Sequence, residues 1–166
     1  MGIKILIADD EPNQLELMAF NLKSSGFICI KARNGEEALE LIEENSPDLV
    51  ILDWMMPNMS GIELIQQVKK ISPDTTFIIM TAFGTIDSAV AAIKTGAFHY
   101  VTKPFELDDI AMLIEKALKL RRLETENERL KRFVKDKYHF KNIVGCSDAL
   151  QEVFTVVEKV AETDSN

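Results

Sequence analysis

A chain of 166 residues, 46% hydrophobic and 28% charged, has apolar material for one complete core and a fragment of a second. Its formal net charge of −8 argues against a direct grip on nucleic acid, because phosphate contacts are made mainly by Lys and Arg. Apolar runs fall short of the roughly 20 residues of a membrane helix, and Met1-Gly2 leads into Ile3-Lys4-Ile5-Leu6-Ile7 without a signal peptide, so a cytoplasmic protein with no membrane partner is expected.

Residues 3–8 read as a strand, followed by Asp9-Asp10-Glu11-Pro12: acids at its C-terminal end, then a proline that starts a helix. That helix, 12–25, repeats Leu15, Leu17, Met18 and Leu22 at helical spacing and is stopped by Ser24-Ser25-Gly26. Residues 27–32 read as a second strand. Cys29 in it and the distant Cys146 lack metal or redox spacing and read as small apolar residues. Asn34-Gly35-Glu36-Glu37 opens a helix to about residue 45, with Ala38, Leu39 and Ile42 inward, and Ser46-Pro47-Asp48 closes it. Leu49-Val50-Ile51-Leu52-Asp53 is the informative stretch: four bulky apolar residues, suited to a strand buried on both faces, deliver a carboxylate at their C-terminal end. The turn 54–61 opens another amphipathic helix to residue 71, through Ile62, Leu64, Ile65 and Val68. A fourth strand, 76–80, ends in Thr81-Ala82-Phe83-Gly84; a small-residue helix, 86–95, is ended by Gly96; and a fifth strand, 98–102, is closed by Lys103-Pro104-Phe105.

This alternation predicts an α/β fold, a doubly wound five-stranded parallel sheet with helices on both faces. Ligands of such sheets sit at the C-terminal strand edge, where Asp9, Asp10, Asp53, Thr81 and Lys103 should converge. Two carboxylates at about 4 Å repel by on the order of 4 kcal/mol at an effective dielectric near 20. A hard divalent cation removes that cost, and oxygen ligands with open water positions favour Mg²⁺ over zinc. An aspartate neutralised in this way can act as a nucleophile toward phosphorus, forming an acyl phosphate, with Lys103 and Thr81 suited to the phosphoryl oxygens.

The acidic pair Asp9-Asp10, the segment LDWMMPNMSGIEL around Asp53, MTAFG at Thr81 and YVTKPF at Lys103 together resemble the bacterial response-regulator receiver domain, over residues 1–120. The resemblance implies a flavodoxin-like strand order 2-1-3-4-5 and the following roles. Asp53 is the phospho-acceptor, Asp10 a direct Mg²⁺ ligand, Asp9 a ligand acting mainly through water, and Met55 the donor of a backbone carbonyl to the metal. Thr81 and Lys103 bind the phosphoryl group, Tyr100 changes rotamer with Thr81, and a sensor histidine kinase is the phosphoryl source. A cis peptide before Pro104 is also implied. Blander readings stand beside these: Met55, Met56 and Met59 as gap-fillers, Trp54 as packing or a surface aromatic, Tyr100 as packing, His99 as a surface or interface residue.

Residues 107–137 contain no Gly or Pro and would span about 45 Å as one helix. Leu120, Leu123, Asn127, Leu130 and Val134 recur at alternating steps of three and four, an a/d seam with Asn at an a position. In that register Lys119 and Glu124, and Glu126 and Lys131, are oppositely charged g/e pairs, which favours a parallel homodimeric coiled coil. Two heptads are weak alone, so support from the globular domains is expected. Residues 138–166 resemble the opening of the ATPase domain of NtrC-like, sigma-54-dependent transcription activators. No GxxxxGK[ST] occurs in the sequence, so the expectation is a regulatory fragment that reaches sigma-54 RNA polymerase only through domains it lacks. The family likeness favours negative control by the unphosphorylated dimer.

The expectation is therefore a two-component phosphorylation switch rather than an enzyme. Three rivals are a Mg²⁺-dependent phosphatase with an aspartate nucleophile, which would want an acid where Met55 stands; a flavodoxin-like cofactor binder, disfavoured by the Asp-Asp-Glu loop; and an inert dimerisation scaffold.

Overall fold

Strands β1 (Lys4–Ala8), β2 (Ile28–Ala32), β3 (Leu49–Asp53), β4 (Thr76–Thr81) and β5 (His99–Thr102) alternate with helices α1 (Pro12–Ser24), α2 (Gly35–Asn45), α3 (Gly61–Ile71), α4 (Ile86–Lys94) and α5 (Leu107–Lys137). The computed structural model describes residues 2–82 and 84–137; the reading of 138–166 as the start of a further domain lies outside the described residues. All pairings are parallel, in the order β2-β1-β3-β4-β5, as expected. The chain moves outward from β1 to β2 and then crosses back to β3. The C-terminal ends of β1 and β3 therefore flank the point where the winding reverses, the crevice in which such sheets hold ligands.

Residues 2–122 form one compact unit. Alternation along each strand splits its core into two layers. On one face Ile5, Ile7, Leu49, Ile51, Ile78 and Met80 pack against Leu15, Met18 and Leu22 of α1 and Ile110, Ile114 and Ala117 of α5. On the other, Leu6, Val50, Leu52, Phe77 and Ile79 pack against Ala38 and Ile42 of α2, Leu64, Ile65 and Val68 of α3, and Ala92 of α4. Every residue of β3 is buried, which is why its sequence is apolar without alternation until Asp53.

Local chemistry sets the helix starts. Asn34 accepts from the Glu37 N–H at 2.8 Å, and Ser60 and Glu63 form a reciprocal capping box at the start of α3. The first strand residue differs from expectation at three places, and at the first of them β1 starts at Lys4 rather than at residue 3. Phe27 gives its N–H to Leu22 O, closing the end of α1, so β2 starts at Ile28; β5 likewise starts at His99 rather than 98. Leu17, part of the apolar repeat of α1, faces outward with Phe20.

At the opposite edge of the sheet, Arg121 Nη1 of α5 donates to the backbone carbonyl of Asp48 and lies 3.3 Å from its Oδ1, while Asp48 Oδ2 accepts from the Lys4 N–H at 2.9 Å. The first part of α5 is thereby tied to the N-terminal ends of β1 and β3. Residues 123–137 belong to a second unit, in which Leu123, Leu130, Phe133 and Val134 are exposed; exposed Leu120 lies in the first unit.

Gly61 begins α3 directly beneath the site. A Cβ there would collide with Leu52 Cδ1 and with the carbonyl oxygen of Asp53, and neither has room to move within a buried strand. Gly61→Ala is expected to destabilise folding by about 2 kcal/mol, the usual scale of an overpacking clash. Urea unfolding measures this, and a midpoint equal to that of the wild type would contradict it.

Candidate functional site

Register brings the predicted residues together. Ala8 pairs with Leu52, Asp53 with Met80, and Thr81 with Thr102, so Asp9, Asp53, Thr81 and Lys103 each end or follow a different strand at nearly one level. Oxygens of Asp9, Asp10 and Asp53 lie within 4.8 Å of one another. Asp9 is fully buried, Asp53 nearly so, and Asp10 exposed.

The two buried carboxylates are held by short local bonds and by one distant cation. Asp9 Oδ1 accepts from the Glu11 N–H at 2.9 Å, and Asp53 Oδ1 from the Met55 N–H at 3.0 Å. Their other oxygens share the Lys103 ammonium: Asp9 Oδ2 at 3.0 Å and Asp53 Oδ2 in a very short contact. The Lys103 N–H donates to Thr81 O at 2.7 Å, which fixes the lysine to the end of β4. The Lys103–Pro104 peptide is cis, as the resemblance implied. Thr81 is buried at the same edge. Tyr100, two residues before Thr102, packs partly buried against the core layer of α2 and α3 and touches the ring of His99, with centroids 6.0 Å apart.

Burial raises the Asp9 pKa above its ordinary value, more strongly than the Glu11 N–H and the Lys103 ammonium lower it, and the Asp53 charge adds to the rise. For Lys103, burial is the largest single influence and acts downward. The hydrogen bonds to Asp53 and Asp9, joined by their charges, outweigh it, so the ammonium is held protonated above its usual range. The edge thus combines a negatively charged cluster with one cation. Asp10 keeps the cluster open to water, and oxygen donors of this kind suit a hard divalent ion.

Of the neighbouring residues, Met56 is buried and Met59 and Trp54 pack against the core. Met55 is 62% exposed and fills no gap, contrary to the blander reading of it. One contact was missed in the sequence. Gln14, in the first turn of α1, reaches Lys103 and Glu11 with its carboxamide. The only sequence signal is its position three residues after Glu11, on the side of α1 that faces the acids.

A family model described as "Response regulator receiver domain" matches residues 5–115. The chain belongs to the response-regulator receiver family. The receiver is 33% identical over 158 residues to the regulatory protein AtoC of Escherichia coli K12, covering 95% of this chain and 34% of AtoC. It is 31% identical over 159 residues to the DNA-binding transcriptional regulator NtrC of the same strain, covering 96% of this chain and 33% of NtrC. The chain therefore spans about a third of the length of these relatives. The solution structure of the beryllofluoride-activated NtrC4 receiver domain dimer superposes with a TM-score of 0.68 at 31% identity, covering 71% of this chain and 98% of that one. This is the receiver of an NtrC-like two-component response regulator, a regulatory domain with an acidic cluster able to bind a metal. No helix among the described residues is long and apolar enough to cross a membrane.

The raised pKa of Asp9 makes its ionisation oppose folding. Its contribution to stability is intact below the unfolded value near 3.8 and is lost as the pH rises through the folded value. In buffer free of divalent ions, Asp9→Asn is therefore expected to melt above the wild type at pH 7, with the gap closing as the pH falls toward 4. Thermal denaturation across that range checks the sign, and a gap independent of pH would contradict it.

Proposed function

We propose that Asp53 is the phospho-acceptor of this receiver and that a sensor histidine kinase is its phosphoryl donor. The supporting observation is the placement of the Asp53 carboxylate, held by the Met55 N–H and the Lys103 ammonium in the same cluster as Asp9 and Asp10. A carboxylate oxygen of Asp53 attacks phosphorus, the bond from phosphorus to the donor nitrogen breaks, and the nitrogen leaves with a proton. Lys103 and the Thr81 hydroxyl receive the charge on the phosphoryl oxygens as the acyl phosphate forms.

Asp10, Asp53 and the Met55 carbonyl would hold Mg²⁺ directly, and Asp9 mainly through water. The ion supplies neutralising charge between these carboxylates and the incoming phosphoryl oxygens. Movement of Thr81 toward the new dianion then opens space beneath it for Tyr100 to turn inward, which carries the signal to β5 and α4. A phosphatase is not favoured, since the residue two after Asp53 is exposed Met55, not an acid.

On this reading residues 1–120 are the phosphorylated module, 107–137 a helical linker, and 138–166 the opening of an ATPase module whose remainder would engage sigma-54 RNA polymerase in the cytoplasm. The linker pairs with a second copy in parallel through Leu120, Leu123, Asn127, Leu130 and Val134. Exposure of the four apolar members supports this, as does the dimeric state named for the NtrC4 receiver. Phosphorylation resets the dimer and releases the ATPase from inhibition.

Two experiments test the reading. Acetyl phosphate with Mg²⁺ is expected to leave an acid-labile phosphoryl label on the wild type and none on Asp53→Asn; a label that survives the substitution would assign the acceptor elsewhere. Leu130→Lys places a charge in the seam and is expected to weaken self-association at least about tenfold by sedimentation equilibrium, whereas unchanged association would remove the seam from the dimer.

A further inference from the structure

We propose that Gln14 is a positioning residue for Lys103, the neutral third partner that keeps its ammonium beside Asp53 when the two charged partners are drawn away. The proposal rests on the reading of Asp53 as acceptor. An ammonium has three hydrogens to donate and nothing with which to accept. Two of the three on Lys103 go to Asp9 Oδ2 and Asp53 Oδ2. Gln14 stands at the third position. Its carboxamide lies between a group that can only donate, Lys103 Nζ at 3.0 Å, and one that can only accept, Glu11 Oε2 at 3.3 Å. A single orientation satisfies both, with the amide oxygen toward the lysine and the amide nitrogen toward the glutamate.

The three partners differ in what becomes of them. Asp9 and Asp53 are the carboxylates that a divalent cation and a phosphoryl group would engage, so their hold on the ammonium weakens when the site is loaded. Gln14 is uncharged and sits on the first turn of a core-packed helix, with Glu11 steadying its amide. It is no part of the acidic cluster. Lys103 otherwise ends a flexible four-carbon stem that opens, with Gln14 and Phe105, onto a cleft of about 770 Å³. Released from both carboxylates without Gln14, the ammonium would swing into that cleft and would have to be ordered again to meet the phosphoryl oxygens.

The test uses the 166-residue chain and two readouts. In metal-free protein, the Lys103 ¹⁵Nζ resonance, assigned by its absence in Lys103→Met, is expected to shift in Gln14→Leu, which keeps the bulk and removes the acceptor. With Mg²⁺ present, beryllofluoride affinity followed by Trp54 fluorescence is expected to fall about three- to tenfold in Gln14→Leu, the range for one hydrogen bond to a charged group. In a Lys103→Met background, the same substitution is expected to change the affinity by less than about twofold. An unmoved Lys103 resonance would overturn the contact, and an equal loss of affinity in both backgrounds would overturn its action through Lys103. Failure of the wild type to bind beryllofluoride would overturn the acceptor reading and the positioning role with it, while the resonance shift would still report the contact.

Discussion

The organising constraint of this receiver is charge. Three carboxylates are gathered at one edge of a sheet, and the fold must supply positive charge to keep them there. A pair of such groups at this separation costs on the order of 4 kcal/mol at an effective dielectric near 20, comparable with a large share of the stability of a small domain. The Lys103 ammonium meets part of the need by bridging Asp9 and Asp53, residues 94 and 50 positions away in the chain. The lysine is delivered at the end of β5, the last strand, so the charge-balancing contact exists only once the sheet is complete through β5.

The same arrangement makes the site responsive. A lysine that bridges two carboxylates also competes with any divalent cation for them, and a group transferred to Asp53 changes what every neighbour must balance. The proposed switch needs no large machinery for this: Thr81 and Thr102 are cross-strand partners, and Tyr100 lies on β5 two residues before Thr102. The sheet is held firm by buried strands, and its C-terminal edge is where charge can be added without disturbing the core. At the other edge, the bond from Arg121 to Asp48 joins the middle of the last long helix to that rigid frame.

The fold was largely readable because each element carries its own signal. LVILD can scarcely be anything but a central strand, and α3 runs from Gly61 to Ile71 between its Ser60 capping box and the Ser72-Pro73 break. Convergence of Asp9, Asp53, Thr81 and Lys103 was readable as well, since parallel topology sends the ends of all strands to one edge. What escaped depends on side-chain reach across the sequence. Nothing local in Gln14 or Arg121 says that one will meet Lys103 and the other Asp48. Leu17 reads as part of the apolar repeat, but α1 turns it outward because Leu15, Met18 and Leu22 already fill its inner face. Met55 reads as packing by composition and is exposed because the turn after β3 gives its N–H, not its side chain, to the site.

A cation must balance the acids, and Lys103 is the cation that the fold itself supplies to Asp9 and Asp53. This central claim is tested most directly by titrating Mg²⁺ into the wild type and Lys103→Met while following the fluorescence of Trp54, the single tryptophan, which adjoins the acceptor. The account predicts tighter Mg²⁺ binding in Lys103→Met, because the metal no longer displaces an ammonium from Asp9 and Asp53. Equal or weaker binding in that variant would contradict it.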